Sequence, residues 1–192
     1  MEARISDNLS LEEYTELERT TGIKYEYHDG KVFAMAGGTL EHGLISGNAY
    51  GEIRGALREA GRDCTAINNE VKLYISSMNK YLYPDAMAVC GPLERSKEEP
   101  NAIVNPTLIV EVLSSSTESY DRGDKFFFYR TLKTLKAYVL IEQYKPQVDL
   151  YTRTGDLWQI SRLEGLSASL ALAPLGISIS MQQLYEGVEW TN

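Results

Sequence analysis

Asp85 and Glu111 are two acids placed where they could act together. Glu111 stands in the middle of the apolar, β-branched run Leu108-Ile109-Val110-Glu111-Val112-Leu113, which reads as a buried strand. A lone carboxylate in such a strand is costly unless a cation or a proton neutralises it. Either something pairs with Glu111 or it binds a metal. Asp85 ends Tyr83-Pro84-Asp85 within an earlier strand, read over 81–90. Carboxylates from two adjacent strands can share a hard cation such as Mg2+, which prefers oxygen ligands and keeps several waters. Such an ion polarises a phosphoryl oxygen and lowers the pKa of its bound water. Beyond the run, Ser114 to Thr117 can cap a helix, with Glu118 in its first turn. That helix carries Asp121, Lys125 and Tyr129 at i, i+4 and i+8, roughly on one face. Lys125 could therefore orient the attacking water or stabilise the charge that develops on the phosphoryl group.

Each group also has a plainer reading. Asp85 could be a turn or cap residue at a strand end. Glu111 could pair with Lys125 or Lys72, since buried acids are usually paired. Lys125 could bridge Asp121 in a solvated pair one helical turn away. Phe126, Phe127, Phe128 and Tyr129 read as core or helix face rather than a base-stacking platform. Glu70 and Lys72 alternate on a strand and read as an exposed sheet face. His28 reads as plain surface.

The elements that must hold these residues follow from periodicity. Residues 9–19 repeat apolar positions at helical spacing, with Ser10 as cap and Glu13 three residues on. Residues 24–35 alternate around Asp29-Gly30, a strong hairpin signal. Residues 41–60 are helical, and Gly61 stops them. Residues 64–76 and 81–90 read as two strands. A polar loop over 91–105, containing Ser96-Lys97-Glu98-Glu99-Pro100-Asn101, reads as a mobile connection. After the strand and helix above come a buried strand over 137–142, two strands over 147–153 and 157–163, and a tail with an edge strand and a helical turn. The expected fold class is α/β (α+β), a mixed β-sheet flanked by helices with an N-terminal helix and β-hairpin. Strands 108–113 and 137–142 form a right-handed crossover if they are parallel neighbours.

The 192 residues are expected to make a single domain, 1–192. Hydrophobic content of 43% and charged content of 24% suit a globular protein. No apolar run reaches membrane-helix length, and Met1 to Ser10 lacks a signal-peptide core. Cys64 and Cys90 have no CxxC or histidine companion and read as buried thiols in a reducing cytoplasm. The net charge of −8 argues against a general polyanion binder. It is compatible with an acidic site neutralised by a divalent metal.

The ordered set Pro84-Asp85, Glu111-Val112-Leu113-Ser114-x-x-Thr117, and Asp121-Arg122-x-x-Lys125-x-x-x-Tyr129 resembles the Uma-two type of putative restriction endonuclease, a family in the PD-(D/E)xK nuclease superfamily. Upstream, Tyr25-Glu26-x-x-Asp29-Gly30 resembles that family's N-terminal hairpin and His42 its histidine at the next helix; downstream, Ala137 to Glu142 resembles the strand after the helix. The resemblance spans about residues 9–184. It implies a restriction-endonuclease-like core and a metal-dependent DNA hydrolase site. The superfamily pattern has a lysine two residues after the glutamate, where this chain has Leu113. The family typically lacks it as well, and Lys125 would replace it from the helix. Val139 and Glu142 stand where the family often has tryptophan and aspartate.

The expected reaction is hydrolysis of DNA phosphodiesters with Mg2+ or Mn2+. Asp85 and Glu111 would ligate the metal, with the Val112 carbonyl as a third oxygen. Lys125 would position the water, Glu26 would hold a second metal or a water, and His42 would contact the scissile phosphate. Glu26 could instead be a cross-strand partner of Lys31, and His42 a helix-start residue. The alternative function is a non-catalytic nucleic-acid-binding or scaffold protein on the same fold. A third is action on a nucleotide or another phosphoester. DNA is the expected partner, the resemblance allows a homodimer since nucleases of this fold often act as dimers, and no membrane association is expected.

Overall fold

The computed structural model describes residues 3–35 and 37–190. Met1, Glu2, Thr191 and Asn192, at the ends of the expected single-domain span, lie outside the described residues. After a short strand, β1 (Ala3–Ser6), the first helix α1 (Leu11–Thr21) begins at a capping box: Ser10 and Glu13 exchange side-chain-to-backbone hydrogen bonds. The hairpin of β2 (Tyr25–His28) and β3 (Lys31–Ala34) turns at Asp29 and Gly30, both at positive φ, the conformation a two-residue hairpin turn needs. Helix α2 (Leu40–Glu59) follows, capped by Thr39.

Each of the two strands expected over 64–76 and 81–90 is two strands. The first divides into β4 (Cys64–Asn68) and β5 (Lys72–Ile75), the second into β6 (Lys80–Leu82) and β7 (Ala86–Cys90). The second break falls at Tyr83-Pro84-Asp85, where proline cannot donate to a ladder. With β8 (Ala102–Ile103), the inner pieces join a six-stranded sheet of order β1-β3-β2-β6-β5-β8. The outer pieces join a second six-stranded sheet of order β12-β11-β10-β9-β7-β4, built with β9 (Leu108–Leu113), β10 (Ala137–Glu142), β11 (Gln147–Thr154) and β12 (Leu157–Glu164). Asp85 therefore lies where the chain passes from one sheet to the other. Strands β9 and β10 are adjacent and parallel, as the crossover reading requires.

Between β9 and β10 runs a helical segment: α3 (Glu118–Tyr120), a π-helical turn over Asp121–Lys125, and α4 (Phe126–Tyr129). The wider turn has a structural consequence. In a regular α-helix a residue at i+8 drifts away from the face of residue i; a π turn adds a residue and brings it back. Asp121, Lys125 and Tyr129 are all buried.

The core has two main layers around the second sheet. Ile45, Ile53 and Leu57 of α2 cover Leu108, Val110 and Val112 on one face, together with the tail hairpin β13 (Ser169–Leu172) and β14 (Ile177–Ser180) and the short α5 (Met181–Leu184). On the other face Ile109 and Leu113 meet Tyr129, Leu135 and the first sheet's Leu73 and Leu82. Alternation puts Glu111 on this second face. Tyr14 of α1 packs on Tyr25, Tyr27, Val32 and Tyr81 on the outer side of the first sheet.

Three expectations are corrected. Cys64 and Cys90 stand directly opposite in the antiparallel β4–β7 pair, with Cα atoms 3.9 Å apart, and form a disulfide rather than two thiols. Lys72 is buried instead of exposed: its Nζ lies 2.5 Å from Glu18 Oε2 and 4.8 Å from the centre of the Tyr14 ring. The polar loop is pinned, with Ser96 and Glu99 buried and Ser96 N–H donating to the Ala102 carbonyl. Among the described residues no helix is long and apolar enough to cross a membrane.

Candidate active site

Glu111 is at the centre of β9 on the face that looks toward the helical segment. Its Oε1 accepts from the Tyr129 hydroxyl at 2.7 Å and lies 3.2 Å from Lys125 Nζ. The Lys125 ammonium is also 3.3 Å from Asp121 Oδ1 and 3.3 Å from Glu26 Oε1. It is 6% exposed. Both plain readings of Lys125 and Glu111 are thus partly met, because Lys125 does bridge Asp121 and pair with Glu111. The pairing is buried rather than solvated, and one cation faces three carboxylates.

Asp85 reaches the same place from the sheet crossing. The β7–β9 ladder ends at Ala86 opposite Val110. Beyond it, the Val112 N–H donates to Asp85 Oδ2 at 2.7 Å. The carboxylate replaces the backbone acceptor that the departing strand no longer offers. His42 stands in the first turn of α2, its N–H donating to the Thr39 hydroxyl, and its Nε2 is 3.5 Å from Asp85 Oδ2. Asp85, Glu111, Val112, Asp121, Lys125 and His42 all line one cavity of about 190 Å³.

Glu26 is fully buried and does not line that cavity. Its register partner is Phe33, while Lys31 stands opposite His28, so the Glu26–Lys31 pairing is not formed. Glu26 turns inward and contacts Lys125 with one oxygen. The other oxygen meets His28 Nε2 and the Tyr120 hydroxyl, each at 3.2 Å, and those two groups are 3.2 Å from each other. His28 is a half-buried partner of the site, not plain surface. Its only sequence signal is the two-residue step from Glu26, which puts both on one face of a strand. Asp121, which lines the cavity and pairs with Lys125, is a further member of the site. Its Oδ1, like Glu26 Oε1, is buried without a hydrogen bond among the described residues.

The electrostatics follow from one cation among several acids. Burial pushes the Glu111 carboxyl well above its ordinary value; Lys125 opposes this, and Asp121 and Asp85 add to it. Burial likewise raises Asp85, against His42 and the Val112 N–H. For Glu26, burial is outweighed by Lys125 and His28, which hold it below the usual range. Lys125 stays well above its usual value despite burial because Glu111, Glu26 and Asp121 surround it.

Among the described residues no three acidic, histidine or cysteine side chains form a ready metal cluster. Asp85 and Glu111 remain as two oxygen donors facing the same cavity, both raised above their ordinary pKa by burial. Two carboxylates with waters and a substrate oxygen completing the shell is how Mg2+ is commonly bound. The residues fit an ion of this kind.

Residues 11–182 match the Uma2 family, described as putative restriction endonuclease. The uncharacterized protein slr1290 of Synechocystis sp. is 36% identical over 181 residues, covering 94% of this chain and 93% of its own. A second uncharacterized Synechocystis protein, sll1609, is 31% identical over 163 residues, covering 84% and 91%. The crystal structure of a putative nuclease belonging to DUF820 from Anabaena variabilis superposes with a TM-score of 0.74 at 15% identity, covering 94% of this chain and 99% of that one. The mixed α+β, restriction-endonuclease-like fold expected from the resemblance is the fold observed.

Proposed function

Because the chain belongs to the Uma2 family of putative restriction endonucleases, we propose that it is an endodeoxyribonuclease that hydrolyses phosphodiester bonds with Mg2+ or Mn2+ held by Asp85 and Glu111. The observation that carries this reading is Lys125 Nζ, buried within 3.3 Å of Glu111 and Asp121 at the wall of a cavity that Asp85 also lines. The ion, when bound, supplies Lewis acidity toward the phosphoryl oxygen and acidifies a water. Lys125 orients the attacking water and stabilises the charge that builds on the phosphoryl oxygens. Asp121 Oδ1, which has no hydrogen bond among the described residues and lies 3.3 Å from Lys125 Nζ, is a base within reach of Lys125. Glu26 holds the Lys125 amine from behind, a role that replaces the second metal or water expected for it. His42 keeps Asp85 in place and offers a hydrogen bond to the scissile phosphate. Val112 serves through its N–H, which fixes the Asp85 carboxylate, and its carbonyl is the third oxygen donor.

A second reading is favoured by one observation. Lys125 already pairs with three carboxylates, which is also what a purely structural buried ion pair looks like. In that case the protein binds nucleic acid or acts as a scaffold without turnover. Cleavage of single-stranded and duplex DNA with Mg2+, Mn2+ or chelator separates the two. Metal-dependent products that disappear in Asp85→Asn support the enzyme; intact DNA under every condition removes it.

A further inference from the structure

Tyr120 and His28 meet Glu26 with their polar tips and turn their rings into a second groove, of about 630 Å³. Four rings line it. His28 lies 4.9 Å from Phe33 and 6.2 Å from Tyr120 between ring centres, and Phe128 stands edge-on to His28 and Tyr120 at 6.1 and 6.5 Å. The Asp124 carboxylate also lines it. Ser116 and Thr117 line both this groove and the catalytic cavity, so the two adjoin. Two lysines stand on the strands either side of His28. Lys31 and Lys80 are the register partners of His28 on the two neighbouring strands, which puts all three on one sheet face. Lys80 Nζ is 4.2 Å from the centre of the Phe128 ring.

Aromatic rings, the Asp124 carboxylate as an acceptor and a nearby lysine are complementary to one chemical unit, a nucleotide with its base free. Proteins that hold unpaired strands combine aromatic stacking with cations along the backbone. The volume lies in the range of about 300–1,000 Å³ usual for small-ligand sites. A base in a duplex is stacked and paired and would have to leave the helix to enter. We propose that the groove takes the base of an unpaired nucleotide beside the phosphodiester presented to Lys125. The preferred substrate is then single-stranded DNA or an unpaired end rather than a continuous duplex. This rests on the nuclease reading above for what happens to the strand, but not for its binding.

The test is fluorescence anisotropy on the full chain with a labelled single-stranded oligodeoxynucleotide and with the duplex of the same sequence. Both are measured in EDTA at matched salt, for wild type, Phe33→Leu and Phe128→Leu. Leucine keeps an apolar side chain and removes the ring face. Two variants guard against one failing to fold, which thermal midpoints report. The expected result is tighter binding of the single strand by wild type, with a loss of roughly tenfold in each folded variant, the scale of one stacked base, and duplex binding unchanged. A single strand bound no more tightly than the duplex, or bound equally well by the variants, overturns the proposal. A parallel cleavage assay with Mn2+ keeps the two ideas apart. Variant-sensitive binding without any cleavage rejects the nuclease and retains the groove; cleavage with variant-insensitive binding rejects the groove alone.

Discussion

Lys125 Nζ sits 3.2 Å from Glu111 Oε1, a contact between the middle of a fully buried strand and the π-helical turn that follows it. The contact neutralises Glu111 only in part, because the same ammonium is shared with Asp121 and Glu26. Asp85 adds a further carboxylate across the cavity. A buried group of acids with one resident cation binds a proton or a further cation more readily than it tolerates its own charge. This is a property a metal-dependent hydrolase can use and a purely structural pair does not need.

Replacing the lysine should therefore do more than remove a surface bridge. Lys125→Ala leaves three buried carboxylates facing one another, and breaking a buried pair from one side costs about 3–5 kcal/mol. Cleavage should fall by about a hundredfold or more, the scale of one lost transition-state contact. Denaturation and cleavage rates check both. A variant of unchanged stability and full activity would remove Lys125 from the site.

Asp85→Asn separates charge from shape. The asparagine oxygen can still accept the Val112 N–H bond that Asp85 makes at 2.7 Å, so the fold should survive. The charge that holds a hard dication is lost, so turnover should disappear, along with any rise of the melting temperature with Mg2+. In the binding-module reading the same change tightens DNA binding, because a negative charge has left the groove, and no metal dependence appears.

Stability should depend on pH and metal together. Glu111 and Asp85 are raised by burial, so their contribution is complete at low pH and is lost as pH rises through their folded values. Glu26 is lowered from its ordinary value of 4.5, so its contribution holds above that value and is lost as pH falls. Lys125 is raised above 10.5 and contributes until pH passes its folded value. A divalent ion competes with protons for Asp85 and Glu111, so its effect grows with pH. At about a hundred times its Kd, an ion adds about 2.7 kcal/mol. Thermal melts should show a larger upshift with Mg2+ near pH 8 than near pH 5. Equal shifts at both would show that these two acids do not bind it.

The disulfide gives a prediction independent of the site. It ties β4 to β7 and closes a loop with a sequence separation of 26. A link of this kind typically stabilises by about 2–4 kcal/mol. Cys90 is at the far end of β7 from Asp85, about 16 Å away along an extended strand. Reduction, or Cys64→Ala with Cys90→Ala, should lower the melting temperature and leave cleavage at low temperature intact. A parallel loss of activity in folded protein would link the disulfide to the candidate site.

Composition and spacing determined the local structure well. The cap at Ser10, the turn at Asp29-Gly30, the long α2 and the buried strand around Glu111 each follow from a pattern a few residues long. That Asp85, Glu111 and Lys125 belong together was legible from the family resemblance of an ordered set of motifs, and the three line one cavity. What no local pattern holds is which strand lies beside which. The breaks that send β5 and β6 to one sheet and β4 and β7 to the other depend on packing between distant segments, although Pro84 marked one of them. Sheet order then decided that Cys64 meets Cys90 and that Glu26 turns inward rather than toward Lys31. It also decided that His28 closes the back of the site with Tyr120. Alternation along a strand says that Glu26 and His28 share a face. Only the opposing helical segment, folded across from β9, determined that this face is the inside.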